Sequence, residues 1–295
     1  MKRLSSILLL FLPGLLLAQP SWKRTTLATP AEVELFHISQ TANLPTTETL
    51  RKGGFMYEIS HRFGPVSSGY SSLYGLDGPV NMRTALSYGL SNHLMFTIGR
   101  STVQDNLDLR LKYKFLQFSN KSVPSVIAVQ AGMAFNTEAY AGLDKRSAFD
   151  GNSTQFYGQL IYNAMLWDKK FGFGAVPSLV YNSFIYANNY RANTKYSLSL
   201  PVYAQWYINR MWSFFGEFTP VVKGWEGNIF YTADENSRSY KSLGFGVAIE
   251  TGGHVFYLFT TNSGRLNPTQ FLLGADSSFE EKDSWRLAFS ITREL

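Results

Sequence analysis

Apolar and polar residues alternate with a period of two along most of this chain. The clearest run lies within residues 106–118. One face of it carries Leu109, Leu111, Tyr113 and Phe115. The other face carries Asp108, Arg110, Lys112 and Lys114. A helix would mix these two sets, whereas a β-strand points successive side chains to opposite faces and separates them. The pattern therefore predicts an all-β protein.

Segments of this kind predict twelve strands, at residues 54–63, 80–90, 93–103, 106–118, 125–136, 154–167, 171–183, 195–208, 212–223, 240–250, 253–263 and 284–295. Many of them have 11–14 residues. Strands of globular proteins most often have about five or six residues. A tilted strand that crosses a membrane needs about 9–11 residues. The lengths therefore favour transmembrane strands.

The predicted connections between strands alternate between long and short. The long ones are residues 64–79, 137–153, 184–194, 224–239 and 264–283, and 104–105 is a short exception among them. The short ones lie around residues 91–92, 119–124, 168–170, 209–210 and 251–252. Outer-membrane barrels have long external loops and short periplasmic turns. We predict an antiparallel up-and-down transmembrane β-barrel of about twelve strands, with both termini in the periplasm and with ten or fourteen strands as alternatives.

The composition excludes several other classes. Among 295 residues there is no cysteine and there are four histidines, so disulfides and thiolate sites are excluded and a multi-histidine metal site is disfavoured. We expect no metal and no other cofactor. Beyond the first twenty residues no run of about 18 apolar residues occurs, which excludes helical spans. Basic side chains outnumber acidic ones only slightly, and this small positive charge does not indicate nucleic-acid binding.

The N-terminus predicts export. Lys2 and Arg3 precede an apolar stretch, and residues 1–18 read as a secretory signal peptide. Residues 19–52 contain Thr and Pro without strong alternation, and they form a predicted N-terminal periplasmic segment. The sequence leaves three placements open for these residues: under the barrel, inside its lumen, or loosely ordered. Residues 53–295 form the predicted barrel.

Several short motifs occur in order along the chain. They include Glu-Ile-Ser-His-Arg-Phe-Gly at 58–64, Gly-Leu-Asp-Gly-Pro-Val at 75–80 and Glu-Thr-Gly-Gly-His-Val-Phe at 250–256. With these motifs the chain resembles an uncharacterised family of outer-membrane β-barrels from Gram-negative bacteria. The resemblance implies a barrel surrounded by outer-membrane lipid. It brings no established activity, substrate or catalytic residue. We expect the barrel-insertion machinery to assemble such a protein.

Charged side chains on the polar faces are predicted to line the lumen. They are Glu58, Arg62, Arg83, Asp108, Arg110, Lys112, Lys114, Lys195, Glu217, Glu250 and Arg286. Seven of these are basic and four are acidic, and a wet lumen of that charge would favour anionic solutes. Alternatively, the same charges pair in a closed interior that rigidifies the barrel. Twelve strands lie between filled eight-stranded barrels and open sixteen-stranded porins, so both interpretations stay open.

Two histidines are further candidates for chemistry. Residues around one turn form a predicted turn clamp: Glu250, Gly252, Gly253 and His254. The glycines supply positive φ, and Glu250 and His254 could meet across the turn. His61 is predicted to face lipid, where a histidine beside a serine nucleophile would suit a lipid hydrolase. No matching serine motif follows His61, so we predict no catalytic residue and no enzyme.

The leading hypothesis is a porin-like passive channel for small polar solutes, with anions favoured by the basic lumen. Reversing the charges of Arg110 and Lys112 should then invert or weaken its ion preference. The alternative is a non-conducting structural or partner-binding barrel. A lipid-modifying enzyme built on His61 is the third hypothesis, and the oligomeric state stays open.

Overall fold

The computed structural model describes residues 32–138, 149, 151, 154–182, 196–224 and 239–295. The strands are β1 (Phe55–Pro65), β2 (Asn81–Ser91), β3 (Leu94–Ser101), β4 (Asn106–Phe118), β5 (Ser125–Asn136), β6 (Thr154–Leu166), β7 (Phe171–Ala175 and Ser178–Tyr181), β8 (Tyr196–Ser199 and Val202–Tyr207), β9 (Trp212–Thr219 and Val221–Gly224), β10 (Ser242–Thr251), β11 (His254–Thr261) and β12 (Arg286–Glu294). Strands β4 and β5 coincide with the predicted segments 106–118 and 125–136.

The strands form a closed antiparallel barrel. Each strand pairs with its neighbours along the chain, and β1 closes the sheet against β12. In this closing pair, Tyr57 lies opposite Arg293 and His61 lies opposite Phe289. The predicted twelve-stranded barrel is therefore confirmed.

Three adjacent strands are interrupted at a proline, although the pattern predicts them as continuous. The breaks fall at Pro177 in β7, Pro201 in β8 and Pro220 in β9. Proline has no N–H group and cannot donate to the ladder. The residues beside the prolines maintain the pairing, because the Val176 N–H donates to the Pro201 carbonyl (2.8 Å) and the Leu200 N–H donates to the Pro220 carbonyl (3.1 Å). We call these three positions the proline row.

The outer face of the barrel is an apolar belt. Its exposed large side chains include Tyr57, Leu86, Ile98, Leu111, Tyr113, Val129, Phe156, Leu160, Phe214, Phe245 and Leu258. A belt of this kind faces lipid in membrane barrels. No helix in the described part of the chain is long and apolar enough to span a membrane.

The connections differ between the two ends of the barrel. At one end, the short-turn end, they cover residues 92–93, 119–124, 167–170, 208–211 and 252–253. At the other end, the long-loop end, short helices occur in the described parts of the loops. These are the 3-10 helices Val66–Ser68, Tyr70–Gly75, Val103–Asp105 and Lys282–Ser284, and the α-helix α1 (Pro268–Phe271).

A contact between two glycines holds the β1–β2 loop against the barrel. A Cβ atom on Gly75 would lie 2.4 Å from the Gly64 carbonyl oxygen. Gly75 also has a φ of +88°, which disfavours any residue with a side chain. Two of the sequence motifs, at 58–64 and 75–80, therefore meet at this contact.

We expect Gly75→Ala to displace this loop, because the new methyl group would overlap Gly64 and left-handed φ costs about 1–2 kcal/mol. Chymotrypsin should then cut faster at the exposed Tyr70 and Tyr74, as mass spectrometry of the fragments would show. Gly78→Ala is the control, since the nearest atom to its Cβ would be 3.4 Å away. Equal cleavage of the two variants would contradict this role of the contact.

Two segments outside the sheet fill the interior of the barrel. Residues 33–50, the inserted segment, enter through the short-turn end; Leu35 and Leu44 are buried there in one cluster with Ile161 of the wall. Residues 262–276, the inserted loop, fold inward from the long-loop end and contain α1. The described part of the predicted N-terminal segment 19–52 thus lies mainly in the lumen. The predicted signal peptide and residues 19–31 lie outside the described residues.

Candidate functional site

The inserted segment forms a short hairpin inside the lumen. The Thr41 N–H donates to the Leu44 carbonyl at 2.8 Å, which closes the tip. The Thr46 N–H donates to the Ser39 carbonyl at 3.0 Å, which joins the two arms. The hairpin needs no partner strand from the wall, so its polar groups are available to the side chains that line the lumen.

Three cations on the inner face of β4 form a basic ladder: Arg110, Lys112 and Lys114. All three are buried. An Arg110 guanidinium nitrogen donates to the Gln40 side-chain oxygen at 3.3 Å, and the Lys114 ammonium pairs with the Glu48 carboxylate at 3.2 Å. The alternation of β4 places the ladder along one line of the wall, and the inserted segment covers it.

The opposite side of the lumen binds the tip of the hairpin. The Glu217 carboxylate of β9 accepts the Asn43 main-chain N–H at 3.0 Å and its side-chain amide at 2.7 Å, and it also accepts the Thr41 hydroxyl. The Arg62 guanidinium donates to the Asn43 side-chain oxygen. The tip is therefore held between an anionic and a cationic wall residue.

A buried ion-pair cluster lies on the long-loop side of the basic ladder. Arg83 pairs with Glu58 at 2.6 Å and with Asp108 at 3.2 Å, and its Nε atom donates to Asn267 of the inserted loop at 2.6 Å. Gly99 leaves the room for this cluster, because a Cβ there would lie 2.4 Å from a guanidinium nitrogen of Arg83. The cluster ties β1, β2 and β4 to the inserted loop.

The inserted loop is fixed by its own arginine. The Arg265 guanidinium donates to the carbonyls of Leu273 and Gly274, at 3.2 and 3.0 Å. Burial lowers the pKa of Arg265 to about 10, and Asp276 opposes this shift. The loop therefore has internal contacts that do not depend on the inserted segment.

Little space is left between the two inserted parts. A cavity of about 10 Å³ remains there, lined by Arg62, Arg83, Arg110 and Leu266 among others. This volume holds about one water molecule. At the short-turn mouth a second cavity, of about 170 Å³, is lined by residues that include His37 and Glu250. Among the described residues, the lumen is therefore nearly filled between the two inserted parts, and a larger cavity lies at the short-turn mouth.

Eight of the predicted lumen residues are buried inside the barrel: Glu58, Arg62, Arg83, Asp108, Arg110, Lys112, Lys114 and Glu217. Arg286 lies at the long-loop rim, where it pairs with Asp276 at 2.7 Å. Glu250 lies at the short-turn mouth. Lys195 lies outside the described residues.

The predicted turn clamp has a different geometry. Gly252 and Gly253 have the expected positive φ, but the two-residue turn pairs Glu250 with Val255 in the register. Successive side chains of β11 point to opposite faces, so His254 lies on the other face of the sheet from Glu250. Glu250 contacts His37 of the inserted segment instead. Glu250 therefore holds the segment at the mouth.

His61 lies on the outer face of β1, as its parity predicts. Its register partners are Met82 and Phe289, and its ring lies 4.5 Å from the Phe289 ring. Neither partner carries a nucleophile. In the described part of the sheet, therefore, no serine pairs directly with His61.

Solved structures with a similar fold are outer-membrane proteins. The COG4313 outer membrane channel from Pseudomonas putida F1 has a TM-score of 0.52 at 13% identity, with 84% of this chain and 98% of that chain covered. The NanC porin has a TM-score of 0.44 at 12% identity, with coverages of 81% and 97%. Outer membrane phospholipase A from Escherichia coli has a TM-score of 0.37 at 10% identity, with coverages of 84% and 94%. The first of these similarities shows a shared fold alone, and no curated protein matches the sequence.

One family model matches nearly all of the described chain. The match covers residues 36–295, which include the barrel and most of the inserted segment. The family resemblance that the motifs indicate is thereby confirmed. The chain belongs to the family described as the membrane bound beta barrel domain (DUF5777).

Proposed function

We propose that this protein is a self-closing channel of the outer membrane. It passes small polar solutes, with a preference for anions, when the inserted segment leaves the lumen. One observation carries the proposal: the barrel wall is complete without the inserted segment, which contributes no strand to the sheet and yet fills the short-turn side of the lumen. A removable segment in a complete wall is the arrangement that a gate requires.

The charge of the wall supports the anion preference. The described strand residues buried inside comprise five cations and three carboxylates. Departure of the inserted segment also removes Glu48, the carboxylate that pairs with Lys114. The remaining positive excess would concentrate anions in a narrow pore.

In this proposal the short-turn end faces the periplasm, as the alternation of short turns and long loops indicates. Outer-membrane lipid surrounds the apolar belt, and the barrel-insertion machinery assembles the protein. The inserted segment then closes the channel from the periplasmic side.

A second candidate is the non-conducting barrel that binds a partner. The observation that favours it is the filling of the lumen from both ends, by the inserted segment and the inserted loop. The two candidates differ in one measurable property, because a gated channel conducts once the inserted segment is released.

We expect Lys114→Glu to open the channel. The new carboxylate would repel Glu48 where a buried pair of 3.2 Å now exists, and breaking such a pair costs about 3–5 kcal/mol. A loss of about 3 kcal/mol from the closed state raises the open fraction roughly a hundredfold. Single-channel recording in a planar bilayer measures this fraction. Lys121→Glu is the control, because it makes the same charge change at an exposed turn residue.

A reversible tether separates gating from any other effect of this variant. The Thr47 hydroxyl lies 3.1 Å from the Asn163 side chain of β6, and the chain has no cysteine of its own. With Thr47→Cys and Asn163→Cys added, the Lys114→Glu channel should be silent after cross-linking with a short cleavable reagent and should conduct after cleavage. A folded Lys114→Glu barrel that never conducts would overturn the channel proposal in favour of the second candidate.

A further inference from the structure

Four buried side chains of the barrel wall contact main-chain atoms of the inserted segment. They come from four strands, β4, β6, β8 and β9. We call them the contact group: Lys112, Asn163, Tyr203 and Glu217. Each is no more than 2% exposed. These main-chain contacts add to the side-chain contacts described above, and they do not depend on the sequence of the segment.

Two members of the contact group donate to carbonyl oxygens. The Lys112 ammonium donates to the carbonyls of Ser39 and Thr46, the latter at 3.0 Å. The Tyr203 hydroxyl donates to the carbonyl of Pro45 at 3.1 Å. An ammonium group has donors and no acceptor, so Lys112 can bind only the electronegative side of a peptide unit.

The other two members accept main-chain N–H groups. The Asn163 side-chain oxygen accepts the N–H of Thr47 at 2.7 Å. The Glu217 carboxylate accepts the N–H of Asn43 at 3.0 Å. Together with the two donors, they satisfy both polarities of a peptide backbone inside a closed space, where an unpaired polar group would be costly.

Two members of the contact group, Asn163 and Tyr203, are held in place by the wall itself. The Asn163 amide nitrogen donates to the Tyr203 hydroxyl at 2.6 Å and to the Tyr162 carbonyl at 3.0 Å. These bonds fix which end of the Asn163 amide faces the lumen. The positions of these two side chains are therefore a property of the barrel, and they are available to another ligand of the same chemistry.

We infer that the solutes of this channel are short peptides, which take the place of the inserted segment on the contact group. The inference rests on the proposed function and adds the substrate class to it. Main-chain N–H and C=O groups occur in every peptide, so binding of this kind tolerates many sequences.

The test compares two solutes of similar size in liposomes that contain the full chain with Lys114→Glu. The solutes are tetra-alanine and a neutral disaccharide, and the swelling rates give a peptide-to-sugar ratio. We expect tetra-alanine to enter about tenfold faster, which corresponds to about 1.4 kcal/mol. The ratio does not depend on how many channels are open.

Two further substitutions assign the preference to the contact group. Lys112→Met, added to Lys114→Glu, should bring the ratio close to one. Gln130→Met should leave it unchanged; Gln130 lies opposite Lys112 in the register but its side chain bonds to Gln159. A ratio that falls equally in both variants would assign the preference to the lumen as a whole and would overturn the inference.

A second measurement needs no substitution in the contact group. Tetra-alanine should reduce the chloride current through the Lys114→Glu channel in a planar bilayer, and the disaccharide should not. Chloride current without any effect of tetra-alanine, and with a swelling ratio near one, would overturn the inference and leave the channel intact. An absence of chloride current would overturn the proposed function itself.

Discussion

Replacing Arg83 with Met should lower the free energy of unfolding of the barrel by about 3–5 kcal/mol. Arg83 is buried and is the shared partner of Glu58 and Asp108, at 2.6 and 3.2 Å. Without it, two carboxylates remain in the interior, and Arg110 lies near both, at 3.7 and 3.9 Å. Removal of one partner is costly because it leaves buried charge uncompensated.

Urea titration of the refolded protein in lipid vesicles, followed by tryptophan fluorescence, measures this loss. Arg100→Met is the matched control. Arg100 pairs with Asp105, but their side chains are 58% and 47% exposed. An exposed pair contributes about 0–1 kcal/mol. If the two variants lost similar amounts of stability, the buried cluster would have no special role in holding the sheet to the inserted loop.

Reversing two charges of the basic ladder should reverse the ion preference of the open channel. The variant for this test lacks residues 33–50. The described strand residues buried in its wall include five cations and three carboxylates. The double substitution Lys112→Glu and Lys114→Glu changes these to three cations and five carboxylates. Because the potential of a narrow pore follows its fixed charge, the reversal potential in a salt gradient should change sign.

These two lysines suit the test better than Arg110, which the sequence also suggests. Arg110 lies within 4 Å of both Glu58 and Asp108, so a third carboxylate there would endanger the fold. The control is Lys121→Glu with Lys170→Glu, which makes the same net change at exposed turns of the short-turn end. An unchanged sign in the ladder variant, or the same shift in the control, would show that the ladder does not set selectivity.

The strands were predictable because lipid and lumen impose opposite demands on alternate residues. Strand β4 shows this most clearly, since Leu111 is exposed and Lys112 is buried. The proline row was also readable, because Pro177 and Pro201 stand in otherwise regular segments and cannot donate to the ladder. The alternation of apolar and polar residues predicts these three strands as continuous, because it depends on side chains alone. It contains no information on which residues have a main-chain N–H group.

The filling of the lumen was not predictable from alternation. The inserted segment forms no strand of the sheet, so residues 19–52 carry no period that places them. The charges on the inward-facing residues give a partial indication that the lumen is filled. Cations outnumber carboxylates on the wall, so in a closed barrel some cations need acceptors that do not belong to the wall. Glu48 and the carbonyl of Thr46 supply acceptors to Lys114 and Lys112. Which carboxylate or carbonyl does so depends on distances that only the fold provides.

The closing pair of β1 and β12 has a consequence for how the barrel assembles. Its two strands are separated by most of the chain, and bringing such distant segments together carries a large entropic cost. The inserted segment directly precedes β1, so it is tethered next to the seam before the seam exists. We expect it to lie on the concave face of the unfinished sheet and to cover Lys112 and Glu217 while β12 is still absent. The inserted segment would then act first as an internal template, and closure of the barrel would trap it in place.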